Sequence, residues 1–188
     1  MEKEKMPDSL PEEFQRIHPS VKIGEGARIS PTAVIEEGCS IGANCFIGHN
    51  TIVRPFTIIG PNTKIGHLCV FEGDSYIGSD CVIQSQSHIT RGAKIEAKVF
   101  IGPGFIGVND RTMTHLRHDV TPFVQTPFII EYGARIGSGA ILLPGVVVGR
   151  NARVGCGSVV TRNVPENMEV WGVPAIARRT VPVEERLQ

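Results

Sequence analysis

The chain has 188 residues, 41% of them hydrophobic and 20% charged, which is enough for one domain with a core of its own. Its 19 basic and 19 acidic residues cancel, so nothing in the charge argues for nucleic acid or an acidic membrane as a partner. No apolar run reaches membrane-spanning length, and the charged opening MEKEKMPDSLPEEFQR lacks the apolar stretch of a secretion signal, so a cytoplasmic protein is expected.

Residues 1–16 read as a polar arm. Within it SLPEE suits one short helix, with Ser9 as N-cap and Pro11 in the first turn, and the arm is expected to cover the first end of the repeat domain. From Ile17 onward every sixth residue is apolar: Ile17, Ile23, Ile29, Ile35, Ile41, Ile47, Val53, Ile59, Ile65, Phe71, Ile77, Ile83, Ile89, Ile95 and Ile101. The residue four after each is small or apolar, as in Val21, Ala27, Ala33, Cys39, Cys45 and Thr51. A helix does not explain this, because residues six apart lie far from one helical face. In a strand the two positions share a side and the residue between them points outward. The remaining residues must turn. The glycine that follows many of the apolar residues, as in IGE, IGA and IGH, is expected to serve the turn by taking a positive φ. Each hexapeptide is then one short strand and one corner, and stacking them buries a continuous apolar column.

Cys39, Cys45, Cys69 and Cys81 fall on the small inward position and read as buried, reduced thiols rather than bridges or ligands. If three repeats close a coil, outward residues eighteen apart stack. One column, Arg16, Val34, Ile52, Val70, His88 and Ile106, is mostly apolar. The other two, Lys22, Ser40, Ile58, Tyr76, Lys94 and Arg28, Phe46, Lys64, Val82, Phe100, are more polar. An apolar outer face points to an oligomer interface.

The register breaks after Ile101. The next clean position is Ile130, so a segment of about 108–128, VNDRTMTHLRHDVTPFVQTPF, leaves the stack and returns. A loop this long inside a compact domain is expected to be functional. Further repeats at Ile130, Ile136, Leu142, Val148, Val154 and Val160 bring the total to 21, or seven coils of three, in a repeat domain spanning 17–164. Residues 165–188 break the pattern and are expected to form a short helix or arm covering the last coil.

This repeat resembles that of the hexapeptide-repeat acyltransferases. The resemblance implies an all-β fold, a left-handed parallel β-helix of about seven triangular coils with one long inserted loop, and a homotrimer. The ending VVTRNVPENMEVWGVPAIARR is similar to the pattern VVT-basic-x-VP…V-x-G-x-PA-x-x-x-R, with Pro174 in the PA pair. In that family the last coils and this segment bind acyl-coenzyme A, so acetyl-CoA is the implied cosubstrate and no metal is expected. Gly137, Gly139, Gly155 and Gly157 would let a thin pantetheine arm approach the backbone, and Arg162, Arg178 and Arg179 would meet the cofactor phosphates. The same glycines also suit plain corners.

IQSQSHITRGAKIEAKVFIGPGFIGVNDR resembles the members that N-acetylate nucleotide-linked amino sugars for surface polysaccharide, including lipopolysaccharide. Gln84, Gln86, Gly102, Pro103, Asn109, Asp110 and Arg111 fall on matching positions, whereas Met113 and Thr114 stand where the family has a Pro-Arg pair. The reaction needs an amine held near a thioester, a proton acceptor and an oxyanion donor. His88 is the expected base, on the apolar column, and Asn109 would orient the amine or donate to the oxyanion; a histidine at a subunit seam is the alternative for His88. His115, Arg117 and His118 would bind the substrate diphosphate, or are solvated loop residues. Two other readings stay open: a zinc enzyme like the γ-class carbonic anhydrases, which needs three convergent imidazoles, and a non-catalytic β-helix scaffold.

Overall fold

A computed structural model describes residues 16–117 and 119–188; the expected helix at SLPEE lies outside the described residues, as does His118. The hexapeptides form 21 strands of two residues each, and these stack into three parallel sheets. Face I runs from Lys22–Ile23 to Val147–Val148, face II from Arg28–Ile29 to Arg153–Val154, and face III from Val34–Ile35 to Val159–Val160. Pairing partners are eighteen residues apart, as in Lys22 with Ser40 and Val34 with Ile52, so three hexapeptides make each coil of a parallel β-helix.

The inward residues form one core from end to end. Ile35, Ile47, Ile65, Phe71, Ile77, Ile89 and Ile101 are wholly buried, and each buried isoleucine stabilises the fold by roughly 1.5–3 kcal/mol relative to an exposed one. Hydroxyls in this core find backbone partners. Thr51 donates to the Gly66 carbonyl (2.8 Å) and accepts the Cys69 amide (3.2 Å), and Thr63 repeats the motif one hexapeptide pair further on with Gly78 and Cys81. The four inward cysteines are buried free thiols, and burial pushes the Cys81 thiol up to about 11, so these sulfurs stay protonated. Cys156, the fifth, is exposed.

The corners correct one expectation. The left-handed residue of the turns is not the glycine after the apolar position but the residue two further on, which is glycine at some turns and a residue with a side chain, such as Asn44, Asn50, Asn62, Asp74 or Asp80, at others. The glycines after the apolar position have another cause. A Cβ on Gly42 would stand 2.5 Å from the Pro61 nitrogen in the next coil, so glycine there sets how closely coils stack.

The inserted loop interrupts the chain but not the stack. Gly107 takes the inward position after Ile101, and its missing side chain leaves room for the Phe128 ring, which packs edge-on against Phe105. Partners across the loop are 35 residues apart (His88's neighbour Ile106 pairs with Ile141), and the spacing then returns to eighteen. The apolar column of face III therefore continues as Val34, Ile52, Val70, His88, Ile106, Ile141 and Val159.

The C-terminal segment differs from the expected helix or arm. Met168–Gly172 and Ala175–Thr180 form an antiparallel hairpin that extends face II, followed by a single 3₁₀ turn at Val183–Glu185. Paired carboxylates and arginines hold it. Glu169 is buried between Arg153 and Arg179, Glu185 accepts from Arg135 (2.8 Å) and Arg153 (2.9 Å), and Asn151 bonds both backbone groups of Leu187.

Candidate active site

The corner between faces II and III collects six of the expected site residues, Gln84, Gln86, Gly137, Gly139, Gly155 and Gly157, because each coil adds one turn directly above the last. Its first row reads Gly48, Gly66, Gln84, Gly102, Gly137, Gly155; its second His49, His67, Ser85, Pro103, Ser138, Cys156; its third Asn50, Leu68, Gln86, Gly104, Gly139, Gly157. Backbone bonds lock the rows: Leu68 N to His49 O, Gln86 N to His67 O, Gly104 N to Ser85 O, Gly139 N to Pro103 O and Gly157 N to Ser138 O, all at 2.8–3.0 Å. Gln84 and Gln86 are exposed at mid-height. Above them the first and third rows are bare glycine, with side chains only on Pro103, Ser138 and Cys156 between: a Cβ on Gly139 or Gly157 would meet nothing within 4 Å. Gly137 and Gly155 are packing glycines, since a Cβ would strike Cys156 N at 2.5 Å or Trp171 Cβ at 2.7 Å.

The hairpin ends this bare strip. Trp171 lies over Gly155, Gly172 N donates to Ser158 Oγ (3.2 Å), and the exposed turn carries Pro174 behind a cis peptide bond. The Arg178 guanidinium sits 5.3 Å over the Trp171 ring, close to the strip. Arg179 is engaged by Glu169, and that pair, with Arg153, holds the Glu169 carboxyl below the usual carboxylate range. Arg162 lies at the other edge of face III, in a recess of about 210 Å³ shared with Ala175 and Ile176 of the hairpin.

His88 stands on face III, two residues beyond Gln86 and beside Ile106. Its Nε2 is 3.9 Å from Glu72 Oε1, and the other Glu72 oxygen accepts from Arg54 (2.9 Å). Sequence reasoning missed this carboxylate: the pair is sixteen residues apart and meets only because one coil stacks on the next. The signal available was Glu72 at the turn next to the strand that pairs with His88–Ile89.

Asn109, Asp110 and Arg111 leave from the opposite edge of face III. Asp110 pairs with Gln125 across the loop base, Thr126 N donates to Asn109 O (2.9 Å), and Gln125 donates to Arg91 O (2.8 Å). The Asp110 carboxylate accepts the amides of Thr112 and Met113 (2.9 Å each) and Thr114 (3.2 Å). Burial opposes its ionisation, but these amides prevail and hold it below the usual carboxylate range, so it shapes the loop. Arg111 reaches Pro144 O (3.4 Å) and lines a cleft of about 400 Å³ with Thr112, Val124 and Thr126. His115 and Arg117 are exposed at the tip, among exposed Met113, Leu116 and Val120. Within one chain, then, face III separates the glutamine and glycine corner from the Asn109 loop. Among the described residues no three histidine, cysteine or carboxylate side chains converge on one point, and no helix is long and apolar enough to cross a membrane.

Comparison with known proteins agrees with the coils. The profile for the bacterial transferase hexapeptide (six repeats) matches residues 20–55 and 56–91, and that for the hexapeptide repeat of succinyl-transferase matches 127–162. A galactoside O-acetyltransferase of Lactococcus lactis is 29% identical over 93 residues, 46% of this chain and 45% of that protein. The chain thus spans under half the length of this curated relative. A hexapeptide-repeat acetyltransferase of Vibrio cholerae O1 biovar eltor, solved with acetyl coenzyme A, superposes with a TM-score of 0.54 at 25% identity over 77% of this chain and 72% of that one. AntD, an N-acyltransferase from Bacillus cereus solved with dTDP-4-amino-4,6-dideoxyglucose and coenzyme A, superposes with a TM-score of 0.57 at 21% identity over 89% and 84%.

Proposed function

The chain belongs to the hexapeptide-repeat family of bacterial transferases, and from that premise we propose that it is an acetyl-CoA-dependent acyltransferase acting on the amino group of a nucleotide-linked amino sugar for surface polysaccharide. The observation that carries this reading is the corner between faces II and III, where Gln84 and Gln86 give way to two rows of glycine, with only the short side chains of Pro103, Ser138 and Cys156 between them, up to Pro174 and Arg178. A pantetheine arm is thin and carries amides, so it suits bare backbone, while a sugar needs polar side chains. The acetyl-CoA complex of the Vibrio cholerae relative supports the donor, and the amino-sugar complex of AntD supports the acceptor class.

His88 lies where the two halves of the corner meet. Glu72 faces its Nε2, which favours the proton there and leaves Nδ1 as the basic nitrogen. The amine nitrogen attacks the thioester carbonyl, Nδ1 accepts the proton the nitrogen loses, the C–S bond breaks, and the coenzyme A thiolate leaves and takes up a proton. Asn109 comes from the far edge of face III. In a homotrimer packed through the apolar column, the loop of one copy meets the glutamine corner of the next, so Asn109 orients the amine or donates to the oxyanion while Arg111, His115 and Arg117 approach the diphosphate. The direct test is thiol release from acetyl-CoA with a panel of nucleotide-linked amino sugars. Turnover is expected with at least one amine. Silence with every amine, together with no acetyl-CoA binding by calorimetry, overturns the reading; turnover only with hydroxyl acceptors, the chemistry of the Lactococcus lactis relative, moves the acceptor to a sugar alcohol.

A further inference from the structure

Below the glutamines, the same corner holds two stacked imidazoles that the proposed chemistry does not use. His49 and His67 lie one coil apart with ring centroids 5.6 Å apart and planes within 15°. Both are tied down through the same atom. His67 Nδ1 accepts the backbone amide of His49 (2.8 Å), and His49 Nδ1 lies 3.0 Å from Thr32 Oγ1, which itself accepts the Asn50 amide (3.0 Å). An Nδ1 that accepts an N–H has no proton, so the neutral His67 ring carries its proton on Nε2, which has no hydrogen bond among the described residues. Beside it is a cleft of about 220 Å³ lined by Phe46, Lys64, His67, Gln84 and Ser85. The Ser85 hydroxyl already accepts the His67 amide (3.0 Å), so its own proton is free to donate. Lys64 and Gln84 bring further donors, and no carboxylate lines the cleft. A wall of fixed donors without an acid is chemistry for an anion, and Phe46, edge-on to His67 at 6.2 Å, closes one side with a ring.

We propose that this cleft binds a phosphate group of the acceptor, through His67 Nε2–H, Ser85 and Lys64. The assignment to the acceptor rests on the acyl-transfer reading; the anion site itself does not. It lies on the chain's own corner, one coil below Gln84 and Gln86, and so grips the diphosphate from the side opposite the loop of a neighbouring copy. Coenzyme A also carries phosphates, so the test must separate the two sources.

Pyrophosphate and coenzyme A are titrated calorimetrically into the full chain and three variants. In His67→Asn the side-chain oxygen replaces Nδ1 and keeps the inner bond, while the amide nitrogen falls short of the Nε2 position. In His67→Gln the amide nitrogen replaces Nε2. In Lys64→Met an exposed cation is removed without touching the histidines. Pyrophosphate affinity is expected to fall by about tenfold or more in His67→Asn and in Lys64→Met, and by no more than about threefold in His67→Gln, with coenzyme A binding unchanged in all three. Pyrophosphate that fails to bind the wild type, that binds His67→Asn and Lys64→Met as well as wild type, or that coenzyme A displaces overturns the proposal. Failure of the acyl-transfer reading has a different signature: no thiol release and no coenzyme A binding, whatever pyrophosphate does.

Discussion

The lower and upper halves of one corner share a backbone and differ in everything attached to it. In the row of left-handed residues, φ is 56° at Asn50, 57° at Leu68 and 62° at Gln86, then 71° at Gly104 and 66° at both Gly139 and Gly157. The turn therefore does not require glycine, even though a side chain in this region costs about 1–2 kcal/mol. What distinguishes the upper half is its two rows of glycine, which leave side chains only on Pro103, Ser138 and Cys156. The lower half presents imidazole, amide and hydroxyl groups for recognition; the upper half leaves a path along the backbone. His88 stands on the adjoining face where one half becomes the other.

The most severe way to break this arrangement is at the junction. His88→Ala is expected to lower kcat by roughly a hundredfold or more, while Glu72→Gln, which leaves the imidazole in place, should cost less. Thiol-release kinetics check both. The next effect sharpens the contrast itself. Gly139→Asn writes the lower half's residue type into the upper half, at a φ that Asn50 already tolerates in the same row. It is expected to weaken coenzyme A binding by about tenfold with little change in melting temperature, read by calorimetry and thermal denaturation. The converse change, Gln86→Ala, is expected to raise the acceptor KM by roughly three- to tenfold and leave coenzyme A affinity alone, because only the polar half has been altered.

The smallest effect concerns the hairpin that closes the upper half. Arg179 and Arg153 hold the Glu169 carboxyl, and Arg135 with Arg153 holds the Glu185 carboxyl, below their ordinary value of 4.5. Folded carboxyls that titrate low stabilise the protein fully above that value, and the contribution is lost as pH falls through the lowered folded values. Acid should therefore loosen the hairpin before the coils. Trp171, the chain's single tryptophan, reports this: its emission should change at a higher pH than the far-ultraviolet dichroism of the coils.

The period of six was enough to place the strands, the inward cysteines and the apolar column, since a strand's alternation fixes which residues face in. It was not enough to explain the glycines. Gly42 and Gly60 follow isoleucines and look like turn residues, yet they answer to the backbone of the next coil, a neighbour eighteen residues away. The loop hid the register for a similar reason. Gly107 breaks the apolar series in the sequence, and the Phe128 ring that fills its place comes from the far end of the insertion. Groups one coil apart, such as His49 and His67 eighteen residues apart, were also legible once three repeats make a coil, and the two rings do stack. Glu72 beside His88, sixteen residues apart and so off that spacing, was not. The C-terminal motif did not disclose its hairpin, which depends on pairing with Arg153–Val154 of face II, a contact no local pattern announces.

A uniform coil is also a ruler. Neighbouring strands in a sheet lie about 4.7–4.9 Å apart, so each coil adds one fixed step along the axis. Deleting or duplicating one eighteen-residue coil between Gln86 and Gly139 would move the acceptor pocket against the thioester by one such step while leaving the residues at both ends intact. The length of acyl group that fits between them is in this sense counted out by the number of coils, and a lengthened helix should turn over a longer acyl donor in place of acetyl.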